Sequence, residues 1–201
     1  MRGLYLVTPN WDDTERLLAC TEQALSAGAA LLQYRHKQAT PALRREQATA
    51  LLALCRRHRR PLIINDHLEL CVELDADGVH LGGTDDKVPR ARAVLGAHKI
   101  IGASCYGDLN LARAAQLAGA SYVAFGGFYP SAVKVYPVTT APEFIRQATL
   151  ELRLPCVVIG GMTPPNAAPL VALGAHMVAA ISSVYLAPDI GDATRAFGDL
   201  F

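Results

Sequence analysis

The stretch LAGASYVAFGG, residues 117–127, reads as a helix end, a glycine turn, a strand and a second glycine turn. The strand, Tyr122-Val123-Ala124-Phe125, carries no charge, and its apolar residues run consecutively instead of alternating with polar ones. That pattern is what a parallel sheet covered on both faces requires. The same order returns in AGAALLQ at 27–33, LDADGVHLGG at 74–83 and LGAHMVAAISS at 173–183. Gly28, Gly119 and Gly174 take the same place in three of these four segments, where a helix C-cap turns left-handed.

Working outward from this repeat, strands are expected at 4–7, 30–34, 61–64, 78–81, 99–104, 122–125, 155–159 and 177–181. Helical patterns follow each of them, at 14–27, 41–57, 68–73, 88–95, 109–118, 140–151, 164–173 and 190–200. Asp12 or Asp13 can cap the first, Thr40-Pro41 opens the second and Asp108 caps the fifth. Eight strand–helix units closing on themselves make a (β/α)8 barrel of the TIM-barrel class, read as a single domain over 1–201. An open doubly wound sheet is the alternative. Against it, Thr8-Pro9-Asn10 stands after the first strand where a dinucleotide-binding sheet would carry its G-x-G-x-x-G.

With 51% apolar and 18% charged residues in 201, the chain can bury a large core. The 19 basic residues barely outnumber the 18 acidic ones, so the cation surplus of a nucleic-acid binder is missing. The one basic cluster, Arg56 to Arg60, fits the last turn of a helix, where the dipole favours cations. Five cysteines form an odd set without a C-x-x-C pair, which fits a reducing cytoplasm. No apolar run reaches the ~20 residues of a membrane span, and MRGLYLVTP leads straight into a strand. The expectation is a cytoplasmic protein without nucleic-acid or membrane partners, and with room for a homo-oligomer.

In such a barrel, chemistry gathers at the C-terminal strand ends. Reading those exits in turn gives Arg35 and Lys37, then Asn65 and Asp66, Asp85, Ser104, Lys134, Gly160-Gly161 and Ser182-Ser183. Arg35 and Lys37 alternate along an extended segment and can both reach the mouth, a fork and a point charge suited to diphosphate. Lys134, in FGGFYPSAVK, is either an anion ligand or a solvated lysine. Asp66 and Asp85 leave adjacent strands; side by side they repel unless a cation sits between them, and Mg2+ is the ion that takes one or two carboxylates plus phosphate oxygens. Asp85 can equally cap the helix that follows. Gly160-Gly161 and Ser182-Ser183 match the barrel phosphate site formed after strands seven and eight. Two anion sites imply two small phosphorylated substrates, joined with loss of diphosphate from one. His80 reads as a core histidine or a support behind the site. Cys105 has no activating neighbour and reads as inert.

The motifs QYRHK (33–37), IND (64–66), GVHLGGTD (78–85), IGASC (101–105), FGGFYPSAVK (125–134), VIGGM (158–162) and AAIS (179–182) resemble the thiamine-phosphate synthase family. The resemblance implies a Mg2+-dependent transferase. Its reaction joins 4-amino-2-methyl-5-(diphosphooxymethyl)pyrimidine to a 4-methylthiazole ethyl phosphate by dissociative loss of diphosphate. It also implies that Gln33, Arg35, Lys37, Asn65, Ser104 and Lys134 hold the pyrimidine diphosphate, with Tyr34 and His36 of QYRHK beside them. Asp66 and Asp85 would bind Mg2+, while Ser131, Gly161, Ile181 and Ser182 would hold the thiazole phosphate. Arg35, Lys37, Lys134 and Ser104 would assist departure of the leaving group. Two positions depart from the family pattern. Ser131-Ala132-Val133 stands where Thr-x-Thr is common, and Tyr106 stands where a histidine often follows the serine. The alternatives are a thiazole tautomerase on the same barrel and a non-catalytic barrel that binds phosphorylated metabolites.

Overall fold

A computed structural model describes residues 1–82, 87–130 and 140–201. The chain alternates strand and helix: β1 (Gly3–Val7), α1 (Thr14–Ser26), β2 (Leu31–Tyr34), α2 (Pro41–His58), β3 (Leu62–Asn65), α3 (Leu68–Leu74), β4 (Gly78–Leu81) and α4 (Lys87–Leu95). It continues with β5 (Ile100–Tyr106), α5 (Leu109–Leu117), β6 (Tyr122–Phe125), α6 (Glu143–Glu151), β7 (Cys156–Ile159), α7 (Pro164–Ala172), β8 (Met177–Ala180), α8 (Ser182–Tyr185) and α9 (Ile190–Gly198). Every strand is parallel to its neighbours, and β8 returns to β1 through Gly3↔Met177 and Tyr5↔Ala179, so the sheet closes. That closure rules out the open doubly wound sheet.

Local chemistry sets the helix ends as the sequence indicates. Asp13, not Asp12, caps α1 by accepting from the Arg16 amide at 2.9 Å. Thr40 caps α2 with Pro41 in the first turn, and Arg56, Arg57 and His58 fill the last turn. Element ends shift by a residue or two in several places, β5 running on to Tyr106 and α9 stopping at Gly198, and two differences have a clear local cause. Helix α6 starts at Glu143, not 140, because Pro142 occupies its N-cap. The eighth unit carries a short α8 from Ser182 before Asp189 caps α9, so the strand ends at Ala180 rather than 181.

Side-chain parity decides what each strand residue faces. Tyr5, Val7, Leu31, Ile63, Tyr122, Ala124, Val157, Met177 and Ala179 pack together inside the barrel. Their sequence neighbours Leu4, Leu6, Leu32, Leu62, Ile64, Val79, Val123, Val158 and Val178 pack outward against the helices. Both faces are buried, which is why the strands read as unbroken apolar runs.

Candidate active site

At the C-terminal end of the strands lies a cavity of about 470 Å³ to which every strand or its exit contributes. On one wall, β2 and β3 deliver Gln33, Arg35, Lys37, Asn65 and Asp66; β4 and β5 add His80, Gly82, Ser104 and Tyr106. On the opposite wall stand Pro130 after β6, Gly160 and Gly161 after β7, and Ile181, Ser182 and Ser183 after β8. Val7, Ala124, Val157 and Ala179 contribute from inside the barrel.

The parity of β2 extends past its last residue and sorts QYRHK into two sets. Gln33, Arg35 and Lys37 line the cavity, whereas Tyr34 and His36 do not. Tyr34 packs in the outer core and donates from its hydroxyl to Gln47 Oε1 at 3.0 Å; burial pushes its phenol up to about 12. His36 is buried, with Nε2 2.9 Å from Asp12 Oδ1. Both residues lie outside this cavity and line a smaller neighbouring pocket with Lys37, Asn65 and Asp66.

The turn after β1 holds this segment in place. The Arg35 amide donates to Thr8 Oγ1 at 2.8 Å, and Thr8 Oγ1 returns its hydrogen to the Arg35 carbonyl at 3.2 Å. Asn10 Oδ1 accepts from the Lys37 amide at 3.3 Å. Thr8 and Asn10 thus hold the backbone of the β2 exit, although the sequence reading treated them as a turn only; their place beside a strand whose exit carries two cations was the available signal. Asn65 donates from Nδ2 to Asp66 Oδ2 at 2.8 Å, and Asp66 sits at a left-handed φ of 61° with its amide on the His80 carbonyl at 2.9 Å. A left-handed backbone is one that Asp tolerates better than most side chains. The exposed Asp66 carboxylate therefore stands in the cavity wall at a fixed height above β4.

The opposite wall is built backbone against backbone. Gly161 has φ 61°, and a Cβ there would lie 2.2 Å from the Pro130 carbonyl oxygen. Phe128 and Tyr129 donate their amides to the Ile159 and Gly160 carbonyls at 3.3 and 3.1 Å. Asn166 closes the turn, donating to the Gly161 carbonyl at 2.9 Å and accepting from the Thr163 amide at 2.8 Å. Among the described residues, nothing accepts from the amides of Gly161 and Met162, which precede the N-terminus of α7. Free amides before a helix start are an anion cradle.

Beneath both walls runs a polar chain of which sequence reading singled out Gln33, His80 and Ser104 but missed Tyr5 and Tyr122. Gln33 Nε2 is 2.6 Å from the Tyr5 hydroxyl, which is 2.6 Å from the Tyr122 hydroxyl. Tyr122 lies 2.9 Å from His80 Nδ1, and His80 Nε2 lies 2.9 Å from Ser104 Oγ. Burial pushes the phenols of Tyr5 and Tyr122 well above their ordinary range, so both stay protonated. Parity was the missed signal, since Tyr5 and Tyr122 share the interior face with Gln33 and Ser104. Cys105 points away from this face; it is buried and its thiol is pushed up to about 12 by burial, which bars it from nucleophilic work. Asp85, Ser131 and Lys134 lie outside the described residues.

An eight-stranded parallel barrel with anion-holding groups on facing walls of its C-terminal cavity defines a phosphate-handling (β/α)8 enzyme. The chain belongs to the thiamine monophosphate synthase family, whose model matches residues 4–184. It is 63% identical to the thiamine-phosphate synthase of Janthinobacterium sp. (strain Marseille), a match covering 100% of this chain and 97% of that protein. The thiamine-phosphate synthase of Xylella fastidiosa (strain Temecula1) is 52% identical, over 100% of this chain and 85% of its own. Among solved structures, thiamine phosphate pyrophosphorylase from Pyrococcus furiosus superposes with a TM-score of 0.86 at 30% identity, covering 98% of this chain and 94% of that one. The chain is accordingly a transferase of thiamine biosynthesis. No helix among the described residues is long and apolar enough to cross a membrane.

Proposed function

We propose that this protein condenses 4-amino-2-methyl-5-(diphosphooxymethyl)pyrimidine with a 4-methylthiazole ethyl phosphate, carboxylated or not, to give thiamine phosphate and diphosphate, with carbon dioxide also released when the thiazole is carboxylated. The observation that carries this reading is the pair of facing walls. Arg35, Lys37 and Asn65 offer cationic and amide donors on one side, while the Gly161 turn and Ser182 offer neutral donors on the other. A transfer between two phosphorylated molecules needs both at once.

The β2–β3 wall binds the diphosphate, with Arg35 as a planar fork and Lys37 as a mobile charge. Their ammonium and guanidinium groups stabilise charge that grows on the leaving oxygens as the carbon–oxygen bond of the pyrimidine methylene breaks. Seated by the Gly161–Ser182 wall, the thiazole presents its nitrogen to the resulting pyrimidine cation. No enzyme nucleophile is required; positioning and charge neutralisation carry the rate.

The residues present fit Mg2+. Asp66 places a hard carboxylate oxygen in the cavity beside the diphosphate wall, and Asn65 fixes its orientation. Among the described residues no group of three metal-ligating side chains forms, which suits an ion that borrows phosphate oxygens from its substrate. Asp66, with Asp85, would hold it, and the ion would neutralise the leaving diphosphate.

The test is diphosphate release measured with each substrate alone and with both. Release only with both, and only with Mg2+ present, is expected. Equal release from the pyrimidine diphosphate alone would refute the coupled transfer.

A further inference from the structure

Donor and acceptor chemistry gives the polar chain beneath the cavity a single direction. Gln33 meets Tyr5 through Nε2, and an amide nitrogen only donates, so the Tyr5 oxygen accepts there. Tyr5 has one hydrogen, and of its two partners among the described residues only the Tyr122 oxygen, 2.6 Å away, can accept it, so that hydrogen goes to Tyr122. Tyr122 in turn donates to His80 Nδ1 at 2.9 Å, which must therefore be unprotonated. The ring carries its proton on Nε2 and gives it to Ser104 Oγ at 2.9 Å. What is left over faces the cavity. Ser104 keeps a hydroxyl hydrogen to donate, and Gln33 keeps Oε1 to accept; both residues line the cavity.

We propose that Tyr5, Tyr122 and His80 are positioning residues that fix the polarity of the two cavity groups at the ends of this chain, with Gln33 as acceptor and Ser104 as donor. None of the three needs to touch substrate to act. Their own geometry is tightly held. The Tyr5 and Tyr122 rings meet edge to face at 88°, and His80 lies over Tyr122 at 19°. Glycine at 102 makes that stacking possible, since a Cβ there would fall 2.0 Å from Tyr122 Cζ and 2.6 Å from His80 Nδ1. Were Nδ1 protonated, Tyr122 would have to accept from it. Tyr5 would then accept from both Gln33 and Tyr122 while its own buried hydrogen had no acceptor in the chain, and a neutral ring would take the Ser104 hydrogen on Nε2. The chain would break at Tyr5, and the cavity would lose its donor at Ser104.

A substrate that binds must offer a donor opposite Gln33 and an acceptor opposite Ser104. The kinetic part of this inference rests on the proposed transferase activity, whereas the tautomer of His80 does not. Two measurements on the full chain decide it. Long-range ¹⁵N–¹H spectra of the wild-type protein, with His80 assigned by through-bond correlation to its own backbone, should show Nδ1 unprotonated and Nε2 protonated. A protonated Nδ1 overturns the proposal. In a double-mutant cycle, Tyr122→Phe should lower kcat about tenfold, the worth of one strong hydrogen bond. In a Ser104→Ala background it should lower kcat no further, because Tyr122 acts through Ser104. Independent, multiplicative losses overturn the positioning role and leave Tyr122 as packing alone. If wild type releases no diphosphate with both substrates, the transferase reading falls, and the spectra still decide the tautomer.

Discussion

Replacing Gly102 by Ala tests the barrel floor directly. The added methyl carbon would sit 2.0 Å from Tyr122 Cζ, 2.2 Å from its hydroxyl oxygen and 2.6 Å from His80 Nδ1. Ordinary contact begins at 3.4 Å, so the Tyr122 ring must recede by more than an ångström. It has nowhere to go: Tyr122 is fully buried and wedged against Tyr5, whose ring centroid is 5.6 Å away. Overpacking of this kind costs about 1–3 kcal/mol. Displacing the ring also breaks its bonds to Tyr5 and His80, at about 1 kcal/mol each. The total, about 3–5 kcal/mol, is a large share of the ~5–15 kcal/mol that holds a domain folded. Urea unfolding measures it, with Gly198→Ala as control, because a Cβ at that helical position meets nothing within 4 Å. The midpoint should fall strongly for Gly102→Ala and move by less than about 0.5 kcal/mol for the control. A Gly102→Ala protein within about 1 kcal/mol of wild type would refute the packing of Tyr122 on His80, and with it the directed chain.

Arg92 is a clamp of another kind: its guanidinium donates to the carbonyls of Gly96, Lys99 and Gly119 and to Ser121 Oγ, tying the ends of α4 and α5 to the start of β5. Arg92→Ala should cost about 2–3 kcal/mol in urea unfolding, and a loss below about 1 kcal/mol would mean water replaces it. Tyr34→Phe should leave kcat/KM within about twofold and remove about 1 kcal/mol of stability with the Gln47 bond; a tenfold kinetic loss would return Tyr34 to the cavity. Asp66→Asn keeps a side chain that tolerates φ 61° while removing the charge, so diphosphate release should fall at least about a hundredfold and need more Mg2+; unchanged Mg2+ dependence would remove Asp66 from the metal site. Burial pushes the thiols of Cys55, Cys105 and Cys156 up to about 12 and that of Cys71 to about 11, from 9.0. The unfolded chain therefore loses these protons first. Stability is fully present below pH 9 and falls as pH climbs toward the folded values, by up to ~1.4 kcal/mol per thiol per pH unit. A urea midpoint unchanged between pH 8 and 10.5 would refute this.

The barrel was legible because both faces of its strands are buried. Consecutive apolar residues in Tyr122–Phe125 and glycine stops at 28, 119 and 174 exclude an alternating, half-solvated sheet, and the count of eight units implies closure. The site was legible where polar residues interrupt apolar runs, as at Arg35, Lys37, Asn65, Asp66 and Ser104, all of which line one cavity. Two things were not legible, for opposite reasons. Tyr34 and His36 sit in the densest polar motif, yet parity turns them from the main cavity toward a smaller neighbouring pocket. Tyr5 and Tyr122 were hidden because an aromatic residue in an apolar strand reads as core, and only register sets their hydroxyls 2.6 Å apart.

The three structural pieces around the cavity are anchored by different means, and this bears on how the site can work. The backbones of Arg35 and Lys37 are held by Thr8 and Asn10. The Gly161 wall is fixed by packing, because a carbonyl of the β6 exit lies where a side chain at 161 would be. On the proposed reading, a phosphate that only has to be seated suits a rigid cradle, and a leaving group suits long cationic side chains on a fixed backbone. The Gln33–Ser104 chain joins β2 to β5 across the barrel, passing through β1, β6 and β4. It therefore spans the floor between the diphosphate wall and the strand that carries Ser104. On the proposed reading, a shift of Gln33 on binding would reach Ser104 through four hydrogen bonds, which would make orientation of the pyrimidine and presentation of the Ser104 hydroxyl one equilibrium rather than two.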